Sequence, residues 1–262
     1  MELNYFQVNA FTSDFNGGNP AGVCPLQEWL PGELMQAIAK ENDLSETAFF
    51  VEKGDAFDLR WFTPSVEVDL CGHATLASAH VLFSEMNYAG QRITFNTKSG
   101  PLIVSNENTG YVMEMPIIGK TEAIAPDNLI KGLGRKPTES YKADDYLLVY
   151  EDEEFIRNLQ PDFTLVQDID LRGTIITAPS DEDGVDFVSR FFGSAAVGIE
   201  EDPATGSAHC MLAPYWAERM AKSELVARQV SPRGATLGCQ LTNKKIQISG
   251  SAVTYIKGNI II

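Results

Sequence analysis

Two short stretches carry residues able to do chemistry. Gly72-His73-Ala74-Thr75 opens an alanine-rich run that continues to His80, and Gly206-Ser207-Ala208-His209 opens another that continues to Ala213. Each starts on glycine and runs into a small-residue amphipathic pattern, as a loop does when it turns into a helix. The first turn of a helix leaves N–H groups unpaired and the macrodipole adds positive potential, so such a start holds a carboxylate or an enolate. Two acids accompany them. Glu46 stands where a helix over residues 32–42 gives way to a strand, just before Ala48-Phe49-Phe50-Val51. A carboxylate beside apolar surface loses hydration, which raises its pKa and suits it to proton transfer. Asp202 precedes Pro203, which restricts it to extended backbone shortly before Gly206. Taken singly, each has a plainer role: an exposed loop acid for Glu46, helix capping for Asp202, a tight turn for the glycines.

The elements that must position these residues repeat. Arg60-Trp61-Phe62 precedes Gly72 by a dozen residues, and Arg190-Phe191-Phe192 precedes Gly206 by a slightly longer gap. Both are strand-like, and each leads through an acidic loop to the glycine and the helix. A repeat at this separation predicts two similar domains. Strands are expected at 3–10, 46–51, 56–63, 92–97, 100–105 and 110–115, with the first helix over 73–86. The stretch Gly17-Gly18-Asn19-Pro20-Ala21-Gly22 is turn-rich; its glycines fit either a hairpin or a close backbone approach. The composition breaks at Pro116, which places a boundary near residue 115. Beyond it, strands are expected at 144–150, 173–178, 185–192, 224–230, 235–241, 244–249 and 252–257, with helices at 152–159 and 205–220. Residues 258–262 could end a sheet in either half. The sum is an α+β protein in two parts, residues 1–115 and 116–257, each a curved, mostly antiparallel sheet around a helix.

Composition narrows the function. The chain has 262 residues, 44% hydrophobic and 21% charged, which reads as globular with a sizeable core. Its 20 basic and 36 acidic side chains give a net charge of −16. That argues against nucleic acid and against an anionic membrane surface. A small anionic substrate fits, because helix starts supply local positive potential. Cys24, Cys71, Cys210 and Cys239 form no CxxC pair and no zinc spacing, so no metal is expected and the thiols read as those of a reducing, cytoplasmic compartment. The N-terminal residues alternate as a strand and lack the pattern of a signal peptide. His80, seven residues after His73, reads as a core or surface histidine, and Gly132-Leu133-Gly134 is too incomplete for a nucleotide-binding loop.

Four motifs together, Gly17-Gly18-Asn19-Pro20-Ala21-Gly22, Ser45-Glu46-Thr47-Ala48, Cys71-Gly72-His73-Ala74-Thr75 and Glu201-Asp202-Pro203-Ala204-Thr205-Gly206-Ser207-Ala208, resemble the PhzF-like phenazine-biosynthesis family. They come in that family's order over nearly the whole chain. The resemblance implies a diaminopimelate-epimerase-like fold of two pseudo-symmetric domains with the active site in the cleft between them. It implies a cofactor-independent isomerase that moves a proton within a small carboxylate, a dihydro-hydroxyanthranilate in the characterised case. Carried over, Glu46 is the acid/base, and His73, Asp202 and Ser207 are its polar partners. Asn19, Gly72 and Gly206 belong to the substrate-binding set. A homodimer is a further expectation by analogy.

The chain departs from the cysteine-dependent epimerases of the same fold. Cys71 precedes the first helix glycine, but Thr205 precedes the second, and threonine supplies no thiolate. Cys71 reads as a packed thiol. Two alternatives to the isomerase stay open at this level: an amino-acid racemase or epimerase with a non-cysteine base, and a non-catalytic binder of small carboxylates.

Overall fold

Apolar residues at every second position make residues 2–10 a strand with Phe6, Val8 and Ala10 turned inward. The same logic recurs through a computed structural model that describes residues 1–108 and 110–262. It resolves into two compact units, Met1–Met115 with Ile248–Ile262, and Pro116–Gln247. In the first unit the chain runs β1 (Glu2–Ala10), β2 (Asn19–Leu26), α1 (Gly32–Asn42), β3 (Glu46–Lys53), β4 (Ala56–Phe62), β5 (Glu67–Val68), α2 (Gly72–His80), β6 (Arg92–Thr97), β7 (Gly100–Glu107) and β8 (Gly110–Pro116). β2 and β3 pair in parallel, β3 and β4 antiparallel, β4 takes the short β5 antiparallel and then β6 in parallel, and β6 and β7 pair antiparallel. All nine residues of α2 are buried, and it packs on β1, β2 and β3. A helix buried on every side must be small and apolar, which accounts for its alanines. After His80 the helix widens into a π-turn over Val81–Glu85, within the single helix expected at 73–86. His80 is a core histidine, bonded through Nδ1 to the Tyr111 hydroxyl at 3.0 Å.

The second unit repeats the order. It contains β9 (Thr121–Glu122), α3 (Asp127–Leu133), β10 (Glu139–Lys142), β11 (Tyr146–Val149), α4 (Glu153–Asn158), α5 (Phe163–Val166), β12 (Gly173–Pro179), β13 (Phe187–Gly193), β14 (Glu201–Asp202), α6 (Gly206–Met220), β15 (Glu224–Gln229) and β16 (Ala235–Leu241). β11 and β12 are parallel, β12 and β13 antiparallel, β13 takes the short β14 antiparallel and β15 in parallel, and β15 and β16 are antiparallel. Strand for strand this is the pattern of β2 to β7. α6 packs on β15 and β16. Its internal Pro214 has no N–H for the Cys210 carbonyl, which instead accepts from Ile118 N–H at 3.0 Å.

β17 (Lys245–Gly250) leads to β18 (Ala252–Ile261), which lies antiparallel along the whole of β1. The chain therefore returns to the first unit at Ile248, earlier than the residue-258 boundary expected from sequence. β1 pairs with it from Glu2 opposite Ile261 to Ala10 opposite Ala252, with one register shift between Gln7 and Val8, so Lys257-Gly258-Asn259 continues the strand although its side chains break the apolar pattern. Residues 116–143 also hold more structure than the sequence suggests, because Pro126 starts α3 as its N-cap residue. Among the described residues no helix is long and apolar enough to cross a membrane.

Candidate active site

The hairpin between β1 and β2 turns through Gly18 at φ +62°, where a Cβ would meet the Ala10 carbonyl oxygen at 2.2 Å. Only glycine closes that turn, and the closure makes Asn19 the first residue of β2, fully buried. Ala21 on β2 lies opposite Glu46, so the two strand starts are neighbours. The end of α1 is tied to the start of β3: Asn42 Nδ2 donates to Thr47 Oγ1 at 3.0 Å. That bond fixes where Glu46 begins the strand. His73 is the second residue of α2, whose start carries no side-chain cap.

These elements bring Asn19, Glu46, Cys71 and His73 together. His73 Nδ1 lies 3.1 Å from Asn19 Nδ2 and 3.6 Å from Cys71 Sγ. His73 Nε2 lies 3.1 Å from Glu46 Oε2, with the two side chains 5% and 13% exposed. Yet neither of those two atoms has an aligned hydrogen bond among the described residues. The pair is in charge contact while the direction of the ring N–H misses the carboxylate. A buried donor and a buried acceptor, both without an aligned partner, mark a place where a third group belongs.

Burial pushes the Cys71 thiol up to about 11, with the Glu46 carboxylate adding to the shift. Burial also opposes charge on His73, but the Cys71 sulfur and the Glu46 carboxylate outweigh it and hold the imidazole well above its ordinary value. Burial of the sulfur and its raised pKa both oppose a thiolate at Cys71. Glu46, Cys71 and His73 do offer oxygen, sulfur and nitrogen atoms within 4.8 Å of one another. A cation there would have to displace protons from both the thiol and the imidazolium.

The second unit presents its own group at the start of α6. Thr205 is the N-cap residue, and its hydroxyl donates to Asp202 Oδ2. Gln229 spans the loop, accepting from Thr205 N–H at 2.8 Å and donating to the Asp202 carbonyl at 2.6 Å. Gly206 and Ser207 form the uncapped first turn. Ser207 Oγ accepts from Arg172 Nη1 at 3.0 Å, and Arg172 also holds Asp145 through Nε at 2.9 Å and through Nη2. Asp145 is 4% exposed. The Arg172 charge is reinforced by Asp145 first and by Asp202 beyond it, against the pull of burial. Within its own unit, then, one guanidinium bonds Ser207 and feels the charge of Asp202.

Arg172 and Asp145 escape the sequence reading, and strand register is the signal that finds them. Thr47 pairs with Phe62 across β3 and β4, and Thr174 pairs with Phe192 across β12 and β13. Gly173 thus holds the register position of Glu46, and Arg172 that of Ser45. No side chain fits at Gly173: a Cβ there would meet Phe191 Cζ at 2.4 Å and the Phe192 carbonyl at 2.7 Å. The pseudo-symmetric scaffold carries a carboxylate at this position in one unit and none in the other.

The chain resembles known proteins over its full length. The phenazine biosynthesis-like protein family matches residues 8–258. An uncharacterized isomerase of Pseudomonas aeruginosa is 48% identical over 260 residues, covering 99% of each chain. The crystal structure of a phenazine biosynthesis protein of the PhzF family from Enterococcus faecalis superposes with a TM-score of 0.95 at 43% identity, covering both chains completely. A "Predicted Epimerase" of Pseudomonas aeruginosa, 21% identical with a TM-score of 0.75 over 99% of each chain, shares the fold.

Proposed function

The chain belongs to the phenazine biosynthesis-like family and is an isomerase, and on that premise we propose that it moves a proton within a small carboxylate substrate, with Glu46 taking the proton and returning it. The observation that carries this reading is the buried Glu46–His73 contact, close at 3.1 Å and without an aligned hydrogen bond. A substrate C–H placed against Glu46 Oε2 gives its proton to the carboxylate. The electron pair left behind delocalises into the conjugated acid, and the protonated glutamate returns the proton at another carbon of the same system. No atom is gained or lost.

The charge that develops needs preorganised donors. The His73 imidazolium and the uncapped first turn of α2 from Gly72 supply them in one unit, and the loss of one such donor typically costs about 3–4 kcal/mol of barrier. Asp202, Ser207 and Gly206 belong to the polar and binding set in this reading, Ser207 donating its hydroxyl hydrogen because Arg172 already donates to its oxygen. Gly173 in the register position of Glu46 supports a single carboxylate that both accepts and donates.

Deuterium uptake tests the proposal. The protein and its Glu46→Gln variant are incubated in deuterated water with amino acids, cyclic β,γ-unsaturated acids and the dihydro-hydroxyanthranilate, and exchange is followed by NMR. Uptake next to a double bond, lost in the variant, is the expected result. Uptake at an amino-acid α-carbon would replace the reading with an epimerase, and unchanged uptake in Glu46→Gln would remove Glu46 as the base.

A further inference from the structure

Beside the loop that carries Asp202, three guanidiniums line one cavity of about 310 Å³. They come from α4 (Arg157), β13 (Arg190) and β15 (Arg228); Gln160, Ser231 and Gly234 complete the wall, and no carboxylate lines it. In a chain of net charge −16 such a convergence of cations is unusual. The carboxylates that hold these arginines stand outside the wall. Glu153 and Glu182 hold Arg157 at 2.6 and 3.2 Å, Glu182 also holds Arg228 at 2.6 Å, and Glu201 holds Arg190 at 2.7 Å.

Each guanidinium has five N–H donors in a planar fork; Arg190 uses four of its own on Glu201 and on the Ile156 and Leu159 carbonyls, which leaves Arg157 and Arg228 as the main donors to the cavity. Arg228 Nε is buried and has no hydrogen-bond partner among the described residues. A buried, unpartnered donor on a charged group is costly unless a ligand supplies the acceptor. We propose that this cavity binds an oxyanion of the phosphate class, free or carried by a small metabolite. Planar forks match tetrahedral oxyanions in two-point contacts, and the volume lies at the small end of ligand pockets, enough for a phosphate and a short organic group.

The site is joined to the Asp202 loop by its own wall. Arg190 grips Glu201, the residue before Asp202, and Ser231 Oγ donates to the Pro203 carbonyl at 2.8 Å. Occupancy therefore restrains the loop over residues 201–205. This inference goes beyond the isomerase reading and stands or falls without it, because binding is read with no turnover.

The test is calorimetric titration of the full chain with inorganic phosphate and with glycerol phosphate at constant ionic strength. Saturable binding of one anion per chain is expected, with slower amide exchange over residues 201–205 when the site is filled. Arg228→Gln should weaken it about tenfold or more, the effect of losing charge-assisted bonds to an anion. Arg228→Lys keeps the charge without the fork and should fall between. Glu182 is 39% exposed, so either variant leaves it solvated and the fold intact. Tighter binding of glycerol phosphate assigns the site to a metabolite, and equal affinity assigns it to the free ion. No saturable binding of either, or equal binding by Arg228→Gln, overturns the proposal.

Discussion

Asn19 presents its amide to His73 Nδ1 at 3.1 Å. With the amide nitrogen facing the ring, Nδ1 accepts and the ring proton sits on Nε2, toward Glu46. When the ring is doubly protonated, the same amide turned by half a rotation offers its oxygen to Nδ1–H. Asn19 thus serves both charge states.

The raised pKa of His73 sets the first expectation. Its proton is held more tightly in the folded chain than in the unfolded one. The resulting stabilisation is complete below the ordinary imidazole value and is lost as pH rises through the folded value. Exchange activity should persist through pH 7 and decline on the alkaline side. An NMR titration of the His73 ring gives the value directly, and Glu46→Gln, which removes a charge that raises it, should move the titration downward.

Glu46→Gln should lower exchange by about 10²–10⁴-fold, the usual share of a positioned acid/base. The amide is isosteric and the side chain sits at a strand start, so the thermal midpoint should stay within a few degrees. Paired activity and calorimetric measurements separate the two effects.

Cys71→Ser should keep most activity. A thiol pushed up to about 11 by burial is neither thiolate nor exposed. Iodoacetamide at pH 8 should leave Cys71 unmodified in the native protein, as mass spectrometry of its peptide would reveal. Rapid alkylation with loss of activity would instead return the thiol to the chemistry.

Arg172→Met strands the Asp145 carboxylate, which is 4% exposed. Removing one partner of a fully buried pair costs about 3–5 kcal/mol, and the 37% exposure of Arg172 reduces this to roughly 2–3. Denaturant titration measures it. Arg172→Lys should recover part of the stability but little of the activity, because an ammonium cannot hold both Asp145 oxygens and Ser207 in one plane.

His209 is fully buried, and its pKa is pushed down to about 4 by desolvation. The unfolded chain takes up a proton near pH 6.5 where the folded chain does not. Stability should therefore fall as pH drops from about 6.5 to about 4, with this group contributing of order 3 kcal/mol. His209→Gln should flatten that part of the acid slope relative to the parent chain.

Much of this arrangement is legible in the residues. Arg60 and Arg190 announce the repeat because each keeps an acidic partner on the next short strand: Arg60 holds Glu67 at 2.7 and 2.9 Å, and Arg190 holds Glu201 at 2.7 and 2.8 Å. Glu46 stands out because helix and strand periodicities meet at it. Arg172 does not, since its partner Asp145 is 27 positions away and only the pairing of β11 with β12 joins them. β9 and α3 are too short for a period to show. The three-arginine cavity is likewise built from separate elements, with nothing local to signal it.

The return of β18 to β1 bears on how the chain acquires its structure. Residues 116–247 form one continuous block, whereas the unit holding Glu46 and His73 closes with a strand made after that block. During synthesis the early strands around α2 emerge first but lack a neighbour along β1, an open edge in the sense of unpaired N–H and C=O groups. The later block can complete itself while that edge waits. The Glu46–His73 pair is thus assembled late from residues translated early, and a chain truncated before residue 252 would hold a complete second unit and an incomplete first one.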